Sequence, residues 1–127
     1  MITTIICFAV AGIFNAIMDV LKTRWETSIF SSMKNTKIID WMNPSISFHN
    51  KWKNGDIGQG EKFFGSSTFL VWTTDFWHFC KMIMIISLSL GAVLYTEKFN
   101  LFIDGLLILS SFTITFEVFY SCFFIKK

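Results

Sequence analysis

Apolar residues along the chain gather into long runs, and their lengths set the first expectation. The first run, Met1 to Leu21, carries no charge before Asp19. As a helix it is about 31 Å long, close to the hydrocarbon thickness of a bilayer. A secretory signal is the rival reading, and Ala9-Val10-Ala11 offers the small residues of a cleavage site. The run lacks a basic leader and stays apolar past that site, so it predicts a retained membrane span. The second stretch, Phe63 to Tyr95, is broken by Asp75, His78 and Lys81. At about 50 Å of helix it is too long for one upright crossing. Phe76 to Tyr95 has the length of one span. Phe63 to Asp75 then lies along the interface, extends the helix, or enters as a re-entrant half-helix covered by protein. The third run, Leu101 to Ile125, is interrupted by Asp104 and Glu117 and again suits one crossing. The short Thr96–Asn100 connection predicts an antiparallel hairpin between the last two spans.

The pattern predicts an all-α integral membrane protein in a single domain, residues 1–127. About three transmembrane helices are expected, near 1–21, 76–95 and 101–125, with an amphipathic, cytoplasmic-side interfacial segment over 22–75. Within that segment Trp25, Ile29 and Met33 recur at four-residue spacing among Lys, Glu and Ser, as an interfacial helix requires. Trp41-Met42-Asn43-Pro44 should end it, because proline pushes the preceding residue out of the α region.

Charge placement adds an orientation. Lys22 to Lys62 holds seven of the eleven basic residues, and Lys126 and Lys127 close the chain. The positive-inside rule puts the long segment and the C-terminus in the cytoplasm and the N-terminus outside. Three spans satisfy both placements, whereas four would strand one basic region on the wrong side. All five tryptophans, Trp25, Trp41, Trp52, Trp72 and Trp77, fall between the first span and the start of the second. Indole favours the headgroup level, so they are expected to form a belt on the cytoplasmic face.

Composition agrees with this class and excludes others. Of 127 residues, 53% are apolar and only 16% charged, against about a quarter in soluble domains. A net charge of +2 leaves no basic footprint for nucleic acid. Cys7, Cys80 and Cys122 form no CxxC pair and lie in apolar runs, where cysteine acts as a small hydrophobe. Asn43 is followed by Pro44, which removes the one approach to a glycosylation acceptor.

Polar groups inside the apolar runs carry the candidate chemistry, because an ionisable side chain near a span centre costs about 2.5–3.5 kcal/mol on insertion scales. Asn15 and Asp19 are spaced i,i+4 and share a face with Thr23 and Glu26. Asp75, His78 and Lys81 recur every third residue, and Ser110, Thr113, Glu117 and Ser121 mark a stripe on the third helix. If the helices bury these edges together, Asn15, Asp19, Asp75, His78, Lys81 and Glu117 converge in the cytoplasmic half. Arg24, His49, Asn50, Lys51, Lys53 and Lys62 would then cover them. A purely structural outcome is an Asp19–Lys81 or Glu117–Lys81 ion pair. Polar side chains also join membrane helices without catalysing anything, at about 0.6 kcal/mol each.

Specific motifs are weak. His49 and His78 are the only histidines and neither sits in a ligand-spaced motif, so no metal or cofactor is expected. Asp75 and His78 suit an acid/base pair, with His78 moving the proton and Asp75 orienting the ring. Ser66, Ser67 and Thr68 lie upstream, but no GxSxG elbow makes them nucleophiles, and helix capping is the simpler role. Asn54-Gly-Asp-Ile-Gly-Gln-Gly-Glu-Lys62 lacks the pattern of a phosphate loop, so its glycines permit turns. Lys62, close to an expected helix N-terminus, would join Lys81, Asn50, Lys51 and Arg24 as anion-binding groups. The basic loop residues Lys22, Arg24, Lys34, Lys37, Lys51 and Lys53 also suit anionic lipid headgroups, at about 1 kcal/mol each near the surface.

The stretch from Trp41-Met-Asn-Pro to Lys53, then Gly60-Glu-Lys-Phe-Phe-Gly-Ser-Ser-Thr68 and Thr74-Asp-Phe-Trp-His78, resembles a pattern in small, uncharacterised multi-spanning membrane proteins of bacteria and their phages. With Asn15, Asp19 and Arg24 it covers about half the chain. The resemblance implies a membrane location and brings no established activity. It draws attention to Asn50, Lys51, Lys62, Asp75 and His78.

Two function classes follow. One is a non-enzymatic oligomerising or scaffold component, with the bilayer, anionic headgroups and copies of itself as partners. The other is a membrane-embedded enzyme or transporter acting on a lipid headgroup or small anion at the cytoplasmic interface, with Lys62 and Lys81 as its anion clamp.

Overall fold

The computed structural model describes every residue, Met1–Lys127, and contains helices and turns with no strand. In chain order the helices are α1 (Ile2–Thr23), α2 (Thr36–Met42), α3 (Pro44–Ser47), α4 (Phe76–Val93) and α5 (Leu101–Val118). A π-helical turn, Phe119–Phe123, continues α5. Three helical stretches are long and apolar enough to cross a membrane: Ile2–Thr23, Phe76–Val93 and Leu101–Phe123.

Asparagine or aspartate starts each helix after the first. A short side-chain oxygen at the N-cap accepts one of the amide groups that a helix start leaves unpaired. Asn35 takes Lys37 N at 3.0 Å, Asn43 takes Ser45 N at 3.1 Å, and Asn100 takes Ile103 N at 2.9 Å. Pro44 occupies the first turn of α3, where its missing N–H costs nothing. It therefore opens a new helix two residues after α2 ends.

The long helices share one centre, α1. Both α4 and α5 pack along α1, but they hardly meet each other, although only Leu94–Asn100 joins them. The expected hairpin is thus a V with α1 in its opening. Small residues allow the approach, as they do in membrane helix packing generally. Ala11 and Ala16 are fully buried. A Cβ on Gly12 would stand 2.5 Å from the Phe112 carbonyl oxygen of α5, and one on Gly91 of α4 would stand 2.9 Å from the Phe8 ring. The outer faces of α4 and α5 remain apolar and exposed, with Ile85, Ile86, Leu106, Leu109 and Ile114 among them.

Residues 24–75 fold over one end of this bundle. No continuous amphipathic helix forms around Trp25, Ile29 and Met33; the chain makes separate 3-10 turns at Trp25–Thr27 and Ile29–Ser32. Serine hydroxyls compete for the backbone there: Ser28 Oγ donates to Trp25 O at 2.7 Å and Ser31 Oγ to Ser28 O at 3.0 Å. The chain's last residues compete as well. Ile29 N donates to Phe124 O at 3.0 Å and Lys126 N to Thr27 O at 2.8 Å, pinning the end of the third long helix to this segment.

Residues 51–53 and 60–62 form a short hairpin, closed by Lys53 N to Gly60 O at 3.0 Å and Lys62 N to Lys51 O at 2.9 Å. Phe63 to Asp75 is neither a helical extension nor a re-entrant helix; it runs through turns and one 3-10 turn, Val71–Thr73. Trp25, Trp41 and Trp77 pack on the core formed by Ile17, Met18, Val20, Leu21, Phe30, Met42 and Cys80. All five indoles are half-buried, and these three tie the cap to the bundle.

Candidate functional site

The sequence places Asp75 just before the second apolar helix, and the structure makes it the N-cap of α4. Its Oδ1 accepts His78 N at 2.9 Å, and its Oδ2 contacts His78 Nδ1 at 2.7 Å and Thr74 Oγ1 at 3.3 Å. Asp75 is fully buried. Its burial is tolerable because every contact is a hydrogen bond directed at the carboxylate. Phe48 packs edge-on against the His78 ring, with centroids 5.8 Å apart, and Trp77 lies 5.0 Å away. The imidazole is thereby fixed by its Nδ1 edge.

His78 borders a shallow cleft of about 260 Å³ on the surface of α4, lined also by Val71, Trp72, Lys81, Met82, Ile85 and Ile86. Lys81 is exposed, its Nζ 5.4 Å from the centre of the Trp77 ring. Asn50 does not enter this cleft lining; its amide donates to Thr74 O at 3.2 Å and Asp40 O at 3.4 Å. It is a brace that ties the loop before α4 to α2.

The other expected members do not converge. The Asp75–His78 contact is the sole ion pair in the chain, so neither Asp19–Lys81 nor Glu117–Lys81 forms. Asn15 and Asp19 are half-buried on α1, while Glu117 is exposed on α5. The reason lies in the α1–α5 contact. Gly12 meets the α5 backbone at Phe112, a fit that demands a small surface and not a polar edge. That choice turns the stripe Ser110, Thr113, Glu117 and Ser121 outward, and all four are exposed.

Arg24 is also placed elsewhere, its guanidinium 4.2 Å over the Tyr120 ring at the end of the third long helix. Lys62 is exposed and lies in the hairpin, and the chain after it runs through turns, so no α-helix begins between it and Phe76. Lys51 contributes its carbonyl to the hairpin, with Nζ 5.9 Å from the Trp52 ring. The candidate hydroxyls are committed too, though not as helix caps. Buried Ser66 accepts from Lys62 N at 3.1 Å and donates to Lys51 O at 2.8 Å, and Thr68 Oγ1 reaches Gly65 O. No group of three His, Cys, Asp or Glu side chains comes together in metal-binding geometry.

Two carboxylates organise the structure without having been singled out as such. Glu61 accepts Gly65 N at 3.0 Å, Ser67 N at 3.2 Å and the Ser67 hydroxyl. The Ser67 hydroxyl first, then the two amides, hold its carboxyl below the usual carboxylate range. A glutamate followed four to six residues later by Gly and Ser was the available signal. At the opposite end of the bundle, fully buried Asp104 accepts Tyr95 OH at 3.0 Å, Lys98 N at 2.8 Å and Phe99 N at 3.3 Å. Burial, and then the bond to Asp104, pushes the Tyr95 phenol up. Asp104, the first of the two acids that interrupt the third apolar run, is therefore a clasp for the α4–α5 turn.

Comparison with protein-family profiles, curated proteins and solved structures gives no match to this chain.

Proposed function

We propose that the chain is a non-enzymatic polytopic membrane component that assembles with copies of itself through the outer face of α5. The observation that carries this reading is Glu117. It is exposed, has no ionic partner within the chain, and lies in a stretch apolar enough to span a bilayer. Counted at the helical rise, it is about 9 Å inside the end of that stretch. A carboxyl facing lipid at such depth is costly, and a neighbouring protein surface relieves the cost. Ser110 and Ser121 on the same face supply hydroxyl donors, whereas the Thr113 hydroxyl donates to Leu109 O at 2.9 Å. Copies inserted in one orientation bring these stripes to the same depth, so Glu117 of one copy meets hydroxyls one turn away on the next.

The orientation that accompanies this reading has the N-terminus outside and the basic 22–75 segment and C-terminus in the cytoplasm, supported by the placement of the basic residues. Sedimentation of the full chain in mild detergent, across a range of detergent-to-protein ratios, tests the assembly. The expected result is an oligomer that Glu117→Ala shifts toward monomer by about tenfold in dissociation constant, as loss of roughly 1.4 kcal/mol would give. A wild-type chain that stays monomeric at every ratio would overturn the reading.

The second reading, a membrane-embedded enzyme or transporter, rests on one observation, the ring of His78 oriented by Asp75 at 2.7 Å. Replacement of His78 by Ala with unchanged membrane lipid composition and unchanged anion uptake would remove it.

A further inference from the structure

The cleft beside His78 has a composition that the assembly through α5 does not use. It lies on α4, and its lining passes from polar to apolar along the helix: Trp72 and His78 at the start, Lys81 next, then Ile85 and Ile86. We infer that this cleft holds one anionic glycerophospholipid, with the phosphate on Lys81 beside His78 and an acyl chain along Ile85 and Ile86.

Charge complementarity carries the assignment. Lys81 is the only cation lining the cleft apart from the imidazole when protonated, and no carboxylate lines it. Asp75 is buried behind the ring with its oxygens occupied, so it orients His78 and is not itself part of the cleft lining. Lys81 has no acidic partner in the chain. It lies about 8 Å along the helix from Phe76, roughly one headgroup layer in from the start of the span. At that level a lysine extends its stem along apolar surface and delivers its ammonium to the phosphate plane. The Trp77 ring under the ammonium steadies that extended pose.

The apolar half fits acyl chain and not a soluble anion. Ile85 and Ile86 are 49% and 54% exposed, in register with Lys81 one turn further along α4. A volume of about 260 Å³ accommodates a phosphate and the first methylenes of one chain, leaving the remainder in the bilayer. A zwitterionic lipid offers the same chain but places a trimethylammonium group near Lys81. Selection by headgroup charge follows.

The test uses the full chain in nanodiscs of phosphatidylcholine containing phosphatidylglycerol, released into the gas phase for native mass spectrometry that counts retained lipid. Phosphatidylglycerol should be retained in preference to phosphatidylcholine. Lys81→Gln should lower that retention about fivefold, the effect of one interfacial cation, while Lys98→Gln, in the α4–α5 turn and outside the cleft, should leave it unchanged. Ile86→Ser should weaken retention in the same direction, and because Ile86 is exposed the fold tolerates the change. Equal losses in Lys98→Gln and Lys81→Gln would mean diffuse charge and overturn the site. Equal retention of the two lipids would overturn headgroup selection. Displacement of the lipid by millimolar glycerol 3-phosphate would reassign the cleft to a soluble phosphate, and cross-linking of two copies through Ile86→Cys would reassign it to a subunit contact. Failure of Glu117→Ala to alter assembly leaves this site standing, since the two lie on different helices.

Discussion

The Asp75 carboxylate grips His78 twice, taking the backbone N–H on one oxygen at 2.9 Å and the ring Nδ1 on the other at 2.7 Å. One buried side chain therefore begins α4, fixes the ring that borders the cleft, and sets the level at which the loop ends. The opposite end repeats the device with different partners: Asp104 collects Tyr95 OH and two loop amides around the α4–α5 turn. Asp75 and Asp104, two of the acids that interrupt the apolar runs, each hold the start of a long helix to the loop before it.

Asp75→Ala removes the cap and both holds on His78. Loss of an N-cap alone costs about 0.5–2 kcal/mol, and the freed ring adds to it. Thermal unfolding of the chain in detergent, followed by helical circular dichroism, should show a lowered midpoint. Asp75→Asn keeps an oxygen for the backbone N–H and should recover much of the loss. Equal stability of Asp75→Ala and wild type would contradict the capping role.

Glu61 gives a pH dependence whose sign is fixed. Its folded value lies below the ordinary 4.5, held there first by the Ser67 hydroxyl and then by the Gly65 and Ser67 amides. A carboxyl with a depressed folded value stabilises its loop fully above the ordinary value and loses that contribution as pH falls through the depressed one. Amide exchange at Gly65 and Ser67, corrected for the intrinsic rate, should therefore be flat from neutral pH down to about 5 and quicken only in stronger acid. Ser67→Ala should move the onset upward, toward the ordinary value. Exchange that quickens near neutral pH would implicate some other group.

The three long apolar helices were legible because they depend on length and apolar content, properties of a segment by itself. The expected 1–21, 76–95 and 101–125 correspond to Ile2–Thr23, Phe76–Val93 and Leu101–Phe123. The faces that meet were not legible. Polar periodicity suggested that Glu117 turns inward, but Gly12 sets the rotation of α5 by accepting its backbone at Phe112, and a glycine carries no periodic signal. The cap was misread for a related reason. Four-residue spacing of Trp25, Ile29 and Met33 describes a helix only if the intervening hydroxyls stay out of the backbone. Here Ser28 and Ser31 bond to it, and Phe124 and Lys126 pair with the segment from about a hundred residues away. Of the candidate site, the Asp75–His78 pair was readable from its i,i+3 spacing at a helix start, whereas the scatter of Arg24, Lys62 and Glu117 is a consequence of tertiary packing.

The same glycine yields the most direct test of the bundle. A Cβ at Gly12 would sit 2.5 Å from the Phe112 carbonyl oxygen and 3.3 Å from Phe116 N, both backbone atoms of α5 that no rotamer change can move aside. Gly12→Ala must therefore shift α5 away from α1. Overpacking of this kind costs about 1–3 kcal/mol, more than the gain of up to about 1 kcal/mol expected from replacing a helical glycine by alanine. Gly105, on α5, has nothing within 4 Å of the corresponding position. Gly105→Ala should receive that gain without the clash, so the two substitutions are chemically identical and opposite in sign. Detergent-resistance or thermal midpoints measured side by side decide it: a drop for Gly12→Ala with an unchanged or raised midpoint for Gly105→Ala is the expected pair. Equal effects at both positions would show that α1 and α5 do not meet at Gly12 and Phe112. The outward direction of the Ser110–Ser121 stripe, which rests on that contact, would then fall with it.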